Sequence, residues 1–487
     1  MTKGVLKNLQ PVEVFRYFEE LSQIPRGSAN EKEVSDYLVA FAKEHNLEVI
    51  QDKALNVIIK KKATPGYENS PAIVIQGHMD MVCEKNVATK HDFTKDPLQL
   101  RIVDDMVYAT GTTLGADNGI AIAMGLAVLA SNEIAHPAVE LVCTTEEETG
   151  MGGATELDPK NIDARILINI DSEEEGTFLV SCAGGLTAKT IIPVTLEDAD
   201  KSLSTYTVRI RGLKGGHSGM EIDKGRANSN KLMGRILMEL SSLVDFRVAS
   251  INGGSKHNAI PREMDTIILI KAEDKAKVQE KLAELEGTFK NEFRTPDPDV
   301  KIELEEMTPG VARVFSVQSQ NNVINYLYLV QNGINSMSMD IKGLVESSLN
   351  LGVVTTRENE VEFISAVRSS VRSLKMEVFN RIAALAKLVG GAVSTESNYP
   401  EWAYNPDSKI RTIFEDTYRK INGKDAKIDA IHAGLECGLF GEKFNGEMDM
   451  ISFGPNLYDV HTPDEHMSIS SVQRSWEFLL EALKAIK

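Results

Sequence analysis

The sequence has few of the features that mark secreted or membrane-spanning proteins. Its 487 residues include only four cysteines, Cys83, Cys143, Cys182 and Cys437, and none of them forms a CxxC pair. This pattern predicts neither a disulfide framework nor a thiolate zinc site. The longest apolar run, GIAIAMGLAVLA, is too short to span a bilayer. The N-terminus also lacks the apolar core of a signal peptide.

An excess of positive charge is missing as well. The chain has 53 Lys and Arg against 71 Asp and Glu, which gives a formal net charge of -18. Phosphate backbones and anionic lipids repel such a chain, so we expect no nucleic-acid partner and no membrane partner. The composition is that of a cytoplasmic enzyme or binding protein, and the length is sufficient for two or three domains.

The hydrophobic pattern predicts an α/β fold with an insertion. Up to about Gly185, helical and buried-strand patterns alternate, and the same style returns near the C-terminus. This alternation predicts a three-layer domain with a mostly parallel sheet, formed by residues 1–185 and 399–487. Residues 186–398 instead alternate like half-buried antiparallel strands followed by amphipathic helices. They are expected to form a separate, inserted α+β domain.

Side chains suited to metal binding follow the predicted buried strands. The segments GHMD, TTEEETG and IDSEEEG each come directly after such a strand. Because ligands gather beyond the carboxyl ends of the strands in open α/β sheets, these segments should lie close together. With two further loops, the candidates are His78, Asp80, Asp117, residues 146–148, Asp171 and His461. Two histidines with several carboxylates suit Zn²⁺ and tolerate Mn²⁺ or Co²⁺, and the set is larger than one ion needs.

Two short patterns each have two interpretations. His78 and Asp80 lie on the same side of a strand end, so Asp80 either stabilises a structural histidine or orients a metal-bound one. In the EEETG run, Glu147 and Glu148 either belong to a solvated acidic loop at a helix start or divide the roles of general base and metal ligand.

The ordered motifs GHMDMV, GADNG, TEEETG, NIDSE, GGHSG and HTPDE resemble those of the co-catalytic di-zinc metallopeptidases related to aminoacylase and carnosinase. Within that group, GLKGGHSGMEID, GGSKHNAIPRE, VESSLNLG and HAGLECG are similar to the bacterial aminoacyl-histidine (Xaa-His) dipeptidases. The resemblance spans essentially the whole chain. It implies hydrolysis of Xaa-His and other unblocked dipeptides, two zinc ions per subunit with Co²⁺ or Mn²⁺ as alternatives, and a lid or dimerisation role for the inserted domain.

The resemblance also implies a role for each matching position. His78 and Asp171 would hold one zinc ion, Glu148 and His461 the other, and Asp117 would bridge both ions. Glu147 would be the general base for a zinc-bridging hydroxide, Asp80 would orient His78, and His217 would donate to the oxyanion. A cis peptide bond is expected after Asp117. The substrate-binding candidates are Asn258, Asn350, Arg368, Gly434 and Glu436.

Several alternatives stay open at this stage. Asn258, Asn350 and Arg368 could equally serve in turn capping or in a surface ion pair, and His432 could be structural. A related amidohydrolase, namely an N-acyl amino acid deacylase or a tripeptidase, is the main rival, although an Asp at position 171 disfavours the deacylase. An inactive scaffold is the non-enzymatic rival. The inserted domain is long enough for a duplicated unit that supplies His217 in cis, and a homodimer remains an alternative.

Overall fold

The computed structural model describes residues 4–487, and the chain divides into two compact units. The first contains the described residues up to Ser181 together with Trp402–Ala430 and Leu435–Lys487, and the second contains Cys182–Glu401 and Ile431–Gly434. From the sequence, the breaks were expected at residues 185/186 and 398/399. The assignment of residues 431–434 to the second unit was not expected. Within that unit, the Ala183 N–H donates to the Ile431 carbonyl at 3.1 Å.

The α-helices of the described chain are distributed over both units. They are α1 (Val12–Ser22), α2 (Lys32–Glu44), α3 (Ala116–Ala130), α4 (Gly152–Glu156), α5 (Ser229–Ser241), α6 (Lys275–Glu292), α7 (Val317–Leu329), α8 (Arg372–Leu388), α9 (Lys409–Asn422), α10 (Glu436–Lys443) and α11 (Ile469–Ala485).

The strands are distributed over both units. They are β1 (Glu48–Gln51), β2 (Val57–Lys61), β3 (Ile73–His78), β4 (Leu100–Val103), β5 (Met106–Ala109), β6 (Val139–Thr144), β7 (Ile166–Asn169), β8 (Thr177–Cys182), β9 (Gly184–Pro193), β10 (Leu196–Asp198), β11 (Ser204–Arg211), β12 (Gly216–His217), β13 (Phe246–Gly253), β14 (Ala259–Ile260), β15 (Met264–Ile270), β16 (Lys301–Glu306), β17 (Arg313–Phe315), β18 (Gly333–Met337), β19 (Val345–Thr356), β20 (Glu360–Ser369), β21 (Ala392–Tyr399), β22 (Lys427–Ile431), β23 (Asp449–Ser452), β24 (Leu457–Tyr458) and β25 (His466–Ser468).

In the first unit, eight strands form one sheet in the order β1-β2-β6-β3-β7-β23-β8-β22. Its four central strands, β6, β3, β7 and β23, run parallel. The hairpin of β1 and β2 at one edge and β8 near the other are antiparallel to their neighbours. Every residue of β3 and β6 is buried, as expected for strands that are covered by helices on both faces. The predicted α/β class with a mostly parallel central sheet is confirmed.

The N-terminal helix α1 packs on α3, and its apolar stripe enters the core of the first unit. Val14, Phe15, Phe18 and Leu21 form this stripe and are fully buried. Ile24 lies beyond the end of α1 and is half-buried. Within residues 4–487, no helix combines the length and the apolar character that a bilayer crossing needs.

A small four-stranded sheet, in the order β24-β25-β5-β4, also belongs to the first unit. The loop between β24 and β25 carries His461. Since β25 pairs with β5 in antiparallel register, this sheet fixes the base of that loop next to a segment that is more than three hundred residues away in sequence.

The second unit contains the same β-α-β-β-α-β order twice. The first copy is β11-α5-β13-β15-α6-β16 and has the sheet order β16-β11-β15-β13, and the second is β9-α7-β19-β20-α8-β21 and has the sheet order β19-β20-β9-β21. In each copy the first and third strands are central, which is the split β-α-β arrangement. The copies join through β13 and β19 into one sheet. The second unit therefore contains a duplicated topology, one of the alternatives that its length left open.

Candidate metal centre

His78 is the last residue of β3, at the carboxyl edge of the parallel sheet. Its Nδ1 lies 3.3 Å from a carboxylate oxygen of Asp80 and 3.2 Å from the Asp80 carbonyl oxygen, because residues i and i+2 of an extended chain share a face. The glycine before His78 is needed, since a Cβ at Gly77 would lie 2.3 Å from the Oδ1 atom of Asn118. The ring is thereby oriented with its other nitrogen, Nε2, free to meet a different partner.

Asp80 is fully buried and also organises the acidic loop after β6. Its two carboxylate oxygens accept the backbone N–H groups of Glu147 at 3.1 Å and of Glu148 at 3.2 Å. The Ser28 hydroxyl donates to it at 2.8 Å. One carboxylate thus orients the His78 ring and fixes the backbone of both glutamates.

The two carboxylate oxygens of Asp117 face different histidines. Oδ1 lies 3.0 Å from His78 Nε2, and Oδ2 lies 3.0 Å from His461 Nε2. Asp117 is in the first turn of α3, where the backbone leaves helical geometry at Asp117 and Asn118, and the expected cis peptide bond between these residues is present. A carboxylate placed between two imidazoles has the arrangement that a bridging ligand needs.

Asp171 and Glu148 complete the two sides of the cluster. Asp171 follows β7, and its Oδ1 lies 3.6 Å from His78 Nε2. Glu148 follows β6, and its Oε2 lies 3.1 Å from His461 Nε2. One ligand atom each of His78, Asp117 and Glu148 all lie within 4.8 Å of one another. The structure therefore brings together all five residues that the sequence singled out as ligands, from five separate segments.

Close contact among these groups shifts their protonation. Burial disfavours a charged His78, yet hydrogen bonds to Asp117 and Asp171 raise its pKa well above the ordinary value. Hydrogen bonds to Asp117 and Glu148 raise the pKa of His461 to about 11. Burial, together with the charges of Asp117 and Glu148, raises the pKa of Asp171 to about 6. The raised pKa values of His78, His461 and Asp171 indicate that the cluster has too little positive charge for its carboxylates.

The donor set fits divalent cations. Imidazole nitrogens and carboxylate oxygens are the ligands that Zn²⁺, Mn²⁺ and Co²⁺ accept in proteins. The Oε1 atom of Glu148 is buried and has no hydrogen-bond partner, a costly state for a carboxylate oxygen unless a cation binds it. The residues present therefore constitute a candidate metal site at the carboxyl edge of the sheet.

Glu147 lies beside the ligand candidates and makes no side-chain hydrogen bond within the described chain; its backbone N–H donates to Asp80. Burial raises the pKa of its carboxyl well above the ordinary value, against the attraction of His78 and with the repulsion of Asp171. This carboxyl therefore holds its proton more strongly than an ordinary glutamic acid does.

Sequence reasoning missed the residues that hold the loops of this site. Glu465 accepts four consecutive backbone N–H groups, of residues 114–117. Arg26 donates to the carbonyls of Met79 and Asp80 on one side and of Gly115 on the other. Glu465 is part of the HTPDE motif that contains His461, and this proximity was the available signal. Nothing in the sequence around Arg26 pointed to the site.

His217, in β12 of the second unit, has a defined tautomer. Its Nδ1 accepts the backbone N–H groups of Gly219 at 3.3 Å and of Met220 at 3.0 Å. Burial and the nearby charge of Arg368 lower the pKa of His217, so the ring is neutral at pH 7. A neutral imidazole whose Nδ1 is an acceptor carries its proton on Nε2. Nε2–H has no partner among the described residues and can donate to a bound group.

Arg368, in β20, is a buried cation without a counter-charge. It is 8% exposed, its Nη1 donates to the Tyr399 hydroxyl at 2.7 Å, and its Nε has no partner. Within residues 4–487, no carboxylate forms an ion pair with it. Burial and the charge of Arg368 lower the pKa of the neighbouring His432 to about 3, and His432 Nε2 lies 2.7 Å from the Ser348 hydroxyl. His432 is therefore a neutral member of this group, which leaves the guanidinium suited to an anion.

The two predicted asparagines of the second unit occupy different environments. Asn350 is buried, and its amide donates to the carbonyls of His257 at 3.0 Å and Ala259 at 2.9 Å. Its Oδ1 accepts from Asn228 at 3.3 Å. Because these contacts occupy its amide within the unit, the geometry favours a role in bracing residues 257–259 over the predicted substrate contact. Asn258 lies in the segment that Asn350 braces.

Gly434 and Glu436 were both predicted as substrate-binding residues, and they belong to different units, Gly434 to the second and Glu436 to the first. Glu436 is fully buried. Its Oε2 accepts from Gln76 at 2.5 Å and from Thr144 at 2.7 Å, and burial raises its pKa to about 7. Within the first unit these contacts make it part of the polar interior beneath the strand ends, and its remaining oxygen, Oε1, has no partner.

Comparison with known proteins identifies the family. The profile of the Peptidase family M20/M25/M40 matches residues 74–485. The chain belongs to this family. It is therefore an enzyme of the peptidase class, and the resemblance inferred from its ordered motifs is confirmed.

Relatives of this M20/M25/M40 peptidase include two dipeptidases of nearly the same length. The chain is 40% identical over 482 residues to the cytosol non-specific dipeptidase of Escherichia coli strain K12. This match covers 99% of both chains. It is 41% identical to the aminoacylhistidine dipeptidase of Vibrio alginolyticus, whose crystal structure it matches with a TM-score of 0.93 over 99% of this chain and 98% of that one. An aminopeptidase from Bacillus cereus matches with a TM-score of 0.57 at 15% identity, over 98% of this chain and 99% of that one, and it shares the fold.

Proposed function

We propose that this peptidase is a metal-dependent dipeptidase that hydrolyses Xaa-His and other dipeptides with free termini. The observation that carries the proposal is the position of Asp117, whose two oxygens meet His78 on one side and His461 on the other. The names of the Escherichia coli and Vibrio relatives support the substrate class.

The proposed cofactor is a pair of Zn²⁺ ions per chain, with Co²⁺ or Mn²⁺ as substitutes. His78 and Asp171 would hold one ion, Glu148 and His461 the other, and Asp117 would be shared. Bound ions of this kind supply Lewis acidity, which lowers the pKa of water and polarises a peptide carbonyl.

Glu147 is the residue proposed to carry out both proton transfers. Its carboxylate would take a proton from the attacking water as a C–O bond forms to the peptide carbon. The same carboxyl would then give that proton to the departing nitrogen as the C–N bond breaks, so that an amino acid with a free amine leaves. The fixed Glu147 backbone, held by Asp80 at 3.1 Å, supports this exchange because a general base must stay within about 3 Å of the proton that it moves.

The proposed oxyanion donor is Nε2–H of His217. Its backbone partners at Nδ1 hold the tautomer that donates from Nε2, so no proton has to be rearranged during turnover. Such a preorganised donor stabilises charge that develops in the transition state.

Arg368 is the proposed site for the substrate's terminal carboxylate. A buried guanidinium without a counter-charge gains most from a bidentate anion, and a dipeptide offers one at its C-terminus. Asn258, Gly434 and Glu436 remain predicted substrate contacts. A cytoplasmic location and a homodimer are further proposals, the first supported by the cytosolic Escherichia coli relative.

A substrate panel tests the function. We expect the purified protein to hydrolyse β-Ala-His, Gly-His and Ala-Leu, to lose this activity to a chelator and to regain it with Zn²⁺. Preference for N-acetylated amino acids would point to a deacylase, and preference for tripeptides to a tripeptidase. A protein that hydrolyses none of these and binds no metal would be a scaffold.

A further inference from the structure

Glu465 makes an unusual set of contacts for a carboxylate that is not a candidate ligand. Its Oε2 accepts the N–H of Leu114 at 2.7 Å and of Gly115 at 3.0 Å. Its Oε1 accepts the N–H of Ala116 at 2.8 Å and of Asp117 at 3.3 Å. The side chain is 2% exposed, so this carboxylate is committed to the backbone that leads into Asp117.

The segment that Glu465 holds has an irregular backbone and lacks a local cap. Gly115, at the N-cap position of α3, has φ 65° and ψ 31° in the left-handed region and offers no side chain to the first helical N–H groups. A helix start leaves such N–H groups without intrahelical acceptors. Glu465, at a separation of 349 residues from Ala116, supplies the missing acceptors.

The opposite side of the same peptide is held by Arg26. Its guanidinium donates to the Gly115 carbonyl at 2.5 Å and to the Met79 carbonyl at 3.0 Å, and the arginine is 2% exposed. Gly115 therefore has its N–H on Glu465 and its carbonyl on Arg26. Because Gly115 is held by hydrogen bonds on both sides, the segment that leads into Asp117 has little freedom to move. The position of the Asp117 carboxylate is fixed with it.

Glu465 is also close in sequence to His461, because both belong to the loop between β24 and β25. The Glu465 N–H donates to the Thr462 carbonyl at 3.1 Å, which keeps this loop compact. Asp117 thus meets the loop twice, once through its Oδ2 with His461 and once through its backbone N–H with Glu465.

We propose that Glu465 is a positioning residue that sets the spacing between Asp117 and His461, and so the affinity of the metal position shared by Asp117, Glu148 and His461. Glu465 does not coordinate the ion in this proposal, because its oxygens are occupied by four N–H groups. The inference rests on the proposed two-metal function.

The matched control is Glu140, another buried carboxylate that accepts backbone N–H groups. It accepts from Asp163 at 3.1 Å and from Ala164 at 3.3 Å, and it is 4% exposed. In the β3–β6 register Glu140 pairs with Val74, whereas His78 pairs with Thr144. The two pairs are four residues apart along the strands, or about 13 Å. Glu140 is therefore distant from His78 and the metal cluster, as a control should be.

The test is a Co²⁺ titration of metal-free protein, in which the visible absorption of bound cobalt reports the number and affinity of sites. Wild type and Glu140→Gln should each bind two equivalents. Glu465→Gln should bind one equivalent as wild type does and the second at least ~10-fold more weakly, the range seen when an outer contact of a metal ligand is lost. Excess metal should restore its kcat with KM unchanged.

Other outcomes overturn the inference. If Glu465→Gln binds both equivalents like wild type, its role is structural alone, even if the Tm falls as it does in Glu140→Gln. If Glu465→Gln does not fold, Glu465→Asp replaces it, and wild-type cobalt binding by that variant has the same meaning. A wild-type protein that binds no cobalt overturns the proposed function and this inference together.

Discussion

The two units collect opposite kinds of buried charge. In the first unit, each of three carboxylates lies 3.0–3.6 Å from at least one of two histidines, and Glu148 keeps an unpartnered oxygen. In the second unit, Arg368 is buried against a tyrosine hydroxyl with no carboxylate beside it in the described chain. The first arrangement lacks cations, and the second lacks an anion.

Under the proposed function, this difference assigns a different part of the reaction to each unit. Buried charge that the protein does not neutralise is costly, so a fold retains it where a bound group supplies the balance. Metal ions would balance the first unit, and a peptide carboxylate or a developing oxyanion would balance the second.

The largest expected effect comes from removing the proposed base of the first unit and keeping its proposed metal site. Glu147→Gln should lower kcat by about 10³-fold, because general-base catalysis typically contributes 10²–10⁴-fold, while metal content stays at the wild-type level. Steady-state kinetics and elemental analysis measure the two quantities. Glu146→Gln is the matched control, since Glu146 is exposed and precedes Glu147 in the same loop. Near wild-type kcat in Glu147→Gln would show that the base lies elsewhere.

The next effect removes the unpaired cation of the second unit. Arg368→Met should lower kcat/KM for Gly-His by about 100-fold, because charged hydrogen bonds contribute roughly 1.5–3 kcal/mol. It should change turnover of the C-terminal amide of the same dipeptide much less, since the amide has no carboxylate to lose.

The control for this comparison is Arg357→Met, which removes an exposed arginine that pairs with Glu362 at 3.2 Å. If Arg368→Met lowered kcat/KM equally for the free dipeptide and for its C-terminal amide, Arg368 would not bind the substrate carboxylate. Its role would then be structural.

The smallest expected effect comes from removing the hydrogen-bond partner of Arg368. Tyr399→Phe removes the hydroxyl that accepts from Arg368 at 2.7 Å and should raise KM for free dipeptides about 5-fold, as expected for about 1 kcal/mol. Its kcat should stay within about twofold of wild type. Tyr326→Phe, which loses a buried hydroxyl bonded to Thr190 at 2.8 Å, should leave KM unchanged. A kcat loss without a KM change in Tyr399→Phe would place the tyrosine in the chemical step.

The sequence was sufficient for the sheet of the first unit and for the segments of the metal cluster. Buried runs such as AIVIQGH and VELVCTT end where the structure has the ends of β3 and β6, and strand ends in such sheets converge. The assignment of individual roles depended on the family resemblance, because spacing alone does not distinguish Glu147 from Glu148.

Other features were beyond prediction because they depend on contacts between distant segments. Glu465 reaches residues 114–117 across almost 350 residues, and no local pattern encodes that contact. The length of the second unit allowed a duplication, but the order of its strands depends on pairing, which periodicity does not report. Glu436 was predicted only as a substrate-binding candidate, and its hydrogen bonds with Gln76 and Thr144, which lie on two different strands, have no local signal in the sequence.

The most direct test of the central claim is an anomalous-scattering crystal structure of the zinc-loaded protein. The account predicts two zinc peaks on either side of Asp117, one bound by His78 and Asp171 and the other by Glu148 and His461. A single peak, or zinc bound away from Asp117, would contradict it.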